Sequence, residues 1–222
     1  MTSRWNSYDP EEIPTSLRLF PIINNYLSKD SRVLDIGCGS GKVAFDLAIC
    51  GYIVDAVDIN EKAVRHGNAE AHEKNVSDRL RFQAADAVKL PFADGMFDMA
   101  ILQAFLTTIA VPLDRQRVIA EVHRVLRPGK FLYLVDFAQN WHLDVYRERY
   151  LRDVEKTNEE GSFISYNIVS GEPEYVAHHF TEKELVFLLI NNGFCIDYFK
   201  IDQLTTKSGN TIYGYIIMGK KI

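Results

Sequence analysis

Cysteine is scarce: Cys38, Cys50 and Cys195 are the only three in 222 residues. They are odd in number, lie far apart, and form neither a CxxC pair nor a Cys/His metal spacing. Free thiols in a reducing compartment are the plain expectation. Basic charge is in deficit as well. Lys and Arg total 25 against 30 Asp and Glu, a formal charge of −5, and an acidic domain without a basic stripe argues against a nucleic-acid partner. No stretch approaches the about 18 continuous apolar residues of a membrane span. The opening MTSRWNSYDPEE lacks the basic start and apolar run of a signal peptide. A cytoplasmic protein, with no membrane partner, is expected. The chain is too short for two full enzyme domains, and its 47% hydrophobic content suffices for one sizeable core.

Strand-like and helix-like periods alternate along that core. Arg32–Ile36 reads as a strand, residues 42–50 as a helix, 52–58 as a strand, 61–74 as a polar helix, and Leu80–Ala84 and Phe97–Gln103 as two further strands. Val118, Ile119, Val122, Val125 and Leu126 recur on one helical face, ended by Arg127-Pro128-Gly129. Residues 131–136 form a fifth strand. The alternation predicts an α/β fold with right-handed crossovers and a mostly parallel sheet covered on both faces. Thr181-Glu182-Lys183-Glu184 is a capping box for a helix that Gly193 ends. Two runs follow, 194–201 and 211–218, close enough to be antiparallel neighbours. Two pieces stand outside this frame: a leading helix over 11–27, and residues 137–180.

The most informative stretch is Asp35-Ile36-Gly37-Cys38-Gly39-Ser40-Gly41. Glycines at alternate positions between strand and helix let the backbone turn tightly and approach a ligand. A Walker-type phosphate loop fails, because Gly41-Lys42 is followed by Val43. A dinucleotide fingerprint is met in its permissive form by Gly39, Gly41 and Ala44, with Asp58 at a suitable distance. Asp35 breaks the tie. Its carboxylate would repel a pyrophosphate in a poorly solvated cleft, and would attract the α-ammonium of a methionine moiety. Asp58, ending the second strand, can accept two ribose hydroxyls, the alternative being a helix N-terminal acid. Asp86 suits either an adenine amino group or a helix cap.

The runs Val33–Gly41, Val57-Asp58-Ile59, Asp86, Leu90-Pro91-Phe92, Phe97-Asp98 and Arg124–Gly129 together resemble the class I S-adenosylmethionine-dependent methyltransferases, the small-molecule type with a minimal catalytic domain. The resemblance is strong over residues 31–136 and weaker from 179 to 194. It implies a Rossmann-like seven-stranded sheet with the last strand antiparallel, and S-adenosyl-L-methionine as cofactor. It also implies that Asp35 and the backbone of Gly37, Cys38 and Gly39 hold the methionine end. Asp58 would take the ribose, with Ile59 against the adenine. Asp86 and Ala87 would meet the adenine edge, and Gln103 would border the methyl group. Lys130 stands where the family often has a second glycine, a change confined to a turn.

One domain over 1–222 is expected: a helical N-terminal cover (1–30), a cofactor-binding core (31–136), a cap insertion (137–180), and a C-terminal helix with its strand pair (181–222). A sulfonium methyl is already activated, so transfer to a small-molecule acceptor needs alignment more than a catalytic side chain. The cap carries eight aromatics (Phe137, Trp141, Tyr146, Tyr150, Phe163, Tyr166, Tyr175, Phe180), most of them expected to pack the insertion onto the sheet. It also carries His142, His178 and His179, each a candidate base but more simply a structural residue. No third ligand joins the adjacent histidines, so no metal is expected. Arg147, Arg149 and Arg152 lie amid acids and read as a solvated helix face that can also receive an acidic substrate. Three other readings stay open: a methyltransferase acting on tRNA or protein, an NAD-dependent oxidoreductase, and a non-catalytic cofactor-binding protein.

Overall fold

The computed structural model describes residues 5–9, 17–167, 170–206 and 209–222. Nine strands and five helices follow one another among them. They are β1 (Arg32–Ile36), α1 (Lys42–Ile49), β2 (Ile53–Asp58), α2 (Glu61–Glu73), β3 (Leu80–Ala84), β4 (Phe97–Gln103), α3 (Pro112–Val125) and β5 (Leu126–Phe137). The cap supplies α4 (Asp144–Thr157), β6 (Ser162–Tyr166) and β7 (Pro173–His178), and the chain closes with α5 (Glu182–Ile190), β8 (Phe194–Thr205) and β9 (Thr211–Lys221).

Seven strands form one sheet in the order β3-β2-β1-β4-β5-β9-β8. β1 to β5 are parallel, and β9 runs antiparallel between β5 and β8. This is the expected Rossmann-like architecture with its last strand reversed. Side chains alternate across it. Val33, Met99, Ile101 and Tyr133 pack with α1 and α2 on one face, while Leu34, Ala100, Leu102 and Leu134 pack with α3 and α5 on the other. Each fully buried aliphatic of this kind contributes about 1.5–3 kcal/mol. By the same alternation Asp35 and Gln103 fall on the α1/α2 face.

Two boundaries move. Leu126 is already extended, with ψ of 142°, so α3 ends before Arg127-Pro128, as the restriction on a residue preceding proline favours. β8 and β9 stay paired out to Thr205 and Thr211, across much of the predicted turn. The leading helix is a correction. Within its described part, residues 17–27, the only helical turn is 3-10, Pro21–Asn25. Pro21 lacks an N–H and excludes Phe20 from the helical region, and Phe20 is extended, with ψ of 140°. Residues 11–16 of that expectation lie outside the described residues. The segment still covers the sheet, with Leu17 and Ile23 buried and the Phe20 N–H donated to the Tyr133 hydroxyl at 3.1 Å.

The insertion is built rather than loose. It leaves and re-enters the fold at one point, where Gln139 N–H donates to Phe180 O and Phe180 N–H to Phe137 O. β6 and β7 pair antiparallel, and buried Asp153 of α4 accepts the Ile164 N–H at 3.0 Å. An ion-pair cluster fastens the cap to α3 and α5. Arg115, 3% exposed, grips Glu159 with two nitrogens at 2.8 and 2.6 Å. His178 meets Ser162 through Nδ1 at 2.8 Å and Glu184 through Nε2 at 2.9 Å. Removing one partner of such a cluster strands the others. Arg115→Met is expected to cost about 3 kcal/mol of stability, read as a lowered midpoint in urea denaturation; an unchanged midpoint would show the cap to be held by packing alone.

Candidate cofactor and acceptor site

A cavity of about 1020 Å³ lies over the carboxyl ends of β1, β2 and β4, between the sheet and the cap. β1 is flanked by β2 on one side and β4 on the other, which makes this the switch point where open α/β sheets bind ligands. The volume is at the upper end for a single small-molecule site, room for a cofactor and an acceptor.

The glycine loop forms the floor. Gly37, Gly39 and Gly41 all have positive φ, +72°, +52° and +85°, so each occupies backbone space that other residues enter only with strain. The loop's amides are largely engaged. Gly37 and Cys38 donate to Val57 O, Gly41 to Cys38 O, and Gly39 to Asp58 Oδ2 at 2.8 Å. A pyrophosphate cradle needs such N–H groups free, and these are not. Gly37 and Cys38 line the cavity, whereas Gly39 does not: its amide serves Asp58 instead of the expected methionine contact.

Asp35 is 3% exposed and lines the cavity. Burial pushes its carboxyl up to about 7, Asp58 adding to the effect and a backbone hydrogen bond from Ala44 opposing it. Buried polar atoms without partners are rare in native folds, and here they gather. Trp5 Nε1, Asp35 Oδ2, Gln103 Oε1 and Thr107 Oγ1 have none, and all four residues line this cavity. Gln103 Nε2 is tied to Leu17 O at 3.0 Å, leaving its carbonyl oxygen as the open end. Two unpaired acceptors on adjacent strands suit a cationic donor such as an ammonium group.

Asp58 accepts Gly39 N–H on Oδ2 and Asn60 N–H, at 2.9 Å, on Oδ1. Burial raises its pKa against those hydrogen bonds, and each oxygen keeps a second lone pair. Ile59, 48% exposed, stands beside it as an uncovered apolar surface. Asp86 is exposed, accepts Val88 N–H at 3.0 Å, and lines the cavity with buried Ala87.

The candidate bases separate. His142 is exposed beside the Tyr213 ring and lies off the cavity. His178 is also off it, held in the ion-pair cluster; burial opposes its protonation, but hydrogen bonds to Glu159 and Glu184 outweigh that and raise its pKa. His179 lines the cavity, and burial pushes it down to about 3. Its Nδ1 lies 2.7 Å from the Tyr150 hydroxyl, which also accepts the Asn140 N–H. The hydrogen bond ties the ring to Tyr150, and the neutral imidazole is too weakly basic to take up a proton near neutral pH.

Five of the eight cap aromatics, Phe137, Tyr146, Phe163, Tyr166 and Tyr175, line the cavity, more than packing alone requires. Trp5, Phe105 and Thr107 also line it and escape sequence reasoning; for Trp5 the one signal is a tryptophan set far from any element. Glu159, His178 and Glu184 bring metal-type donors within 4.8 Å of one another. Arg115 lies 2.6 Å from Glu159 and 3.5 Å from Glu184, the place a cation would take.

The sheet, the loop and the cavity at its switch point define a Rossmann-like protein with one large ligand-sized pocket. A family model described as a methyltransferase domain matches residues 34–134. A solved structure from Methanosarcina mazei, described as a SAM-dependent methyltransferase, is 50% identical, with a TM-score of 0.90 over 93% of this chain and 99% of that one. The 27-O-demethylrifamycin SV methyltransferase of Amycolatopsis mediterranei is 41% identical over 112 residues, 50% of this chain and 40% of that protein. The chain spans less than half the length of such curated relatives. A Burkholderia thailandensis 1,6-didemethyltoxoflavin-N1-methyltransferase, solved with its substrate and S-adenosylhomocysteine, shares the fold at 20% identity and a TM-score of 0.67, over 90% of this chain and 75% of that one. The chain belongs to the S-adenosylmethionine-dependent methyltransferases, and S-adenosyl-L-methionine is its cofactor.

A Cβ on Gly37 would lie 2.1 Å from the Phe105 ring. Gly37→Ala is expected to cost about 1–2 kcal/mol from the left-handed backbone alone and to displace Phe105 from the cavity. A thermal melt equal to wild type would mean that the loop relaxes without strain.

Proposed function

We propose that the protein transfers a methyl group from S-adenosyl-L-methionine to a small-molecule acceptor held under the cap. The observation carrying this reading is the concentration of unpaired buried polar atoms and aromatic rings around one cavity large enough for both reactants. Bound cofactor supplies an electrophilic methyl group. Asp35 and Gln103 take its ammonium end, with Gly37 and Cys38 forming the floor beneath. Asp58 accepts the ribose hydroxyls through its remaining lone pairs, Ile59 packs on the adenine, and Asp86 with Ala87 meets the adenine edge. The cap orients the acceptor, and alignment of this kind is worth roughly 7–11 kcal/mol. A cavity walled by the cap's aromatic rings favours a small acceptor over tRNA or a protein chain, and the names of the rifamycin and toxoflavin relatives point the same way. The engaged loop amides disfavour a dinucleotide. Free cysteines at all three positions suit the cytoplasm, and among the described residues no helix is long and apolar enough to cross a membrane.

Calorimetric titration with S-adenosylhomocysteine and NAD in parallel tests the assignment. Binding of the first alone is expected, and Asp58→Ala should weaken it by about 1.5–3 kcal/mol; unchanged affinity in that variant would remove Asp58 from the ribose. Asp35 adds a pH signature. An ammonium partner favours the carboxylate, so below pH 7 binding must expel the proton from a group held at about 7. Affinity for S-adenosylhomocysteine should fall by up to about tenfold per pH unit on acidification. Asp35→Asn should bind weakly with a flat profile. Tighter wild-type binding at low pH would mean that Asp35 faces no cation.

A further inference from the structure

The geometry points to Arg149 as the residue that selects the methyl acceptor, by receiving a carboxylate on a planar aromatic or conjugated molecule. This rests on the reading of the cavity as a methyl-transfer site and names the substrate class for its cap side.

Arg149 lines the cavity from α4. Its guanidinium lies over the Tyr146 ring at 5.1 Å and the Phe163 ring at 5.5 Å. Among the described residues no carboxylate comes within ion-pair distance of it, and it donates no hydrogen bond. Its helical neighbours differ. Arg147 pairs with Asp144 at 2.6 Å on the solvent side. Arg152, which also reaches the cavity, is neutralised by buried Asp153 at 2.5 Å. Glu174, the acid on the cap wall, receives the Asn167 amide at 3.0 Å. Lys42, another cation of the lining, belongs to α1 on the cofactor side.

A guanidinium carries five donors in a planar fork and cannot lose its charge. Half-buried over two rings set edge to face, this one has surrendered part of its hydration without gaining an acceptor. A single unneutralised cation matches a monoanion better than a phosphate dianion, and the fork matches a carboxylate through two parallel hydrogen bonds. The rings to either side supply flat apolar faces for a planar body. His179 completes the wall as a neutral ring, and Glu174, the acid of that wall, is engaged by the Asn167 amide.

The test uses 4-hydroxybenzoate and 2-naphthoate, each against its primary amide, titrated into the full chain with and without saturating S-adenosylhomocysteine. At least one acid is expected to bind about tenfold or more tightly than its amide in the wild type. In Arg149→Gln the preference should shrink to within about twofold, with S-adenosylhomocysteine affinity unchanged; Arg149→Lys should restore part of it. Arg147→Gln is expected to leave every value as in the wild type. No acid preferred over its amide in the wild type, or a preference that survives in Arg149→Gln, overturns the proposal. Failure of the wild type to bind S-adenosylhomocysteine would instead overturn the cofactor assignment, while the acid-amide comparison without cofactor still decides Arg149.

Discussion

Asp35 places a carboxyl group where water barely reaches and leaves one oxygen unpaired, and much of the site follows from accommodating it. In a core such a group would be a defect. Here it sits on β1, with β2 and β4 on either side and the crevice of the sheet opening directly above. Its raised pKa states the cost in terms of pH. A carboxyl at about 7 when folded and near 3.8 when unfolded contributes stability below 3.8, lost as pH rises toward 7. Asp136 on β5, also pushed up to about 7 by burial, carries the same sign. It differs in having its oxygens on the Phe137 and Thr107 amides, at 2.9 and 3.1 Å. One buried acid has both oxygens hydrogen-bonded; the other keeps Oδ2 without a partner at the cavity wall.

The loop beyond Asp35 is shaped by the same requirement. Its amides turn inward, to Val57 O, Cys38 O and Asp58, which fixes the backbone and ties β1 to β2 without presenting a ring of donors to an anion. Asp58 is thereby held by the loop it serves. Asn60 continues the chain of contacts, donating through Nδ2 to Trp5 O and Tyr8 O, both at 2.8 Å. The Trp5 ring in turn lies 4.6 Å from Tyr175 on the cap. The N-terminal segment, the loop after Asp58 and the cap thus share one set of contacts.

What could be read from sequence was what local chemistry determines. The Arg32–Ile36 strand, the alternate glycines and the capping box at Thr181 each depend on residues close in sequence, and each stands where expected. Asp35 was legible because one carboxylate beside three glycines excludes one ligand charge and admits the other. The leading helix failed on a local rule too, the proline at position 21 overriding an apolar spacing. The cap resisted for a different reason. Its aromatics are identifiable in sequence, but which of them face the cavity depends on contacts between α4, β6 and β7 that no spacing encodes. Adjacent His178 and His179 illustrate this: at the end of a strand neighbours point to opposite sides, so one enters the Arg115 cluster and the other the cavity.

That alternation also separates two electrostatic tasks. The Arg115, Glu159, His178 and Glu184 cluster gathers mutually compensating charges behind the cap wall, where they fix its position and contribute little net field to the cavity. In front of the wall the charges are not cancelled in place. Asp35, Asp58 and Asp86 line the sheet side together with Lys42, and the guanidinium of Arg149 lies on the cap side together with Glu174. In a cavity with aromatic walls such charges are poorly screened, so the three acids favour a cation beside them and Arg149 offers an anion its contact on the cap side. In that reading a carboxylate resting on Arg149 would anchor the acceptor and keep its charge, and a hydroxyl acceptor atom would release its proton as the methyl group is transferred. His179, the one histidine lining the cavity, is pushed down to about 3 by burial and offers no strong base for that proton.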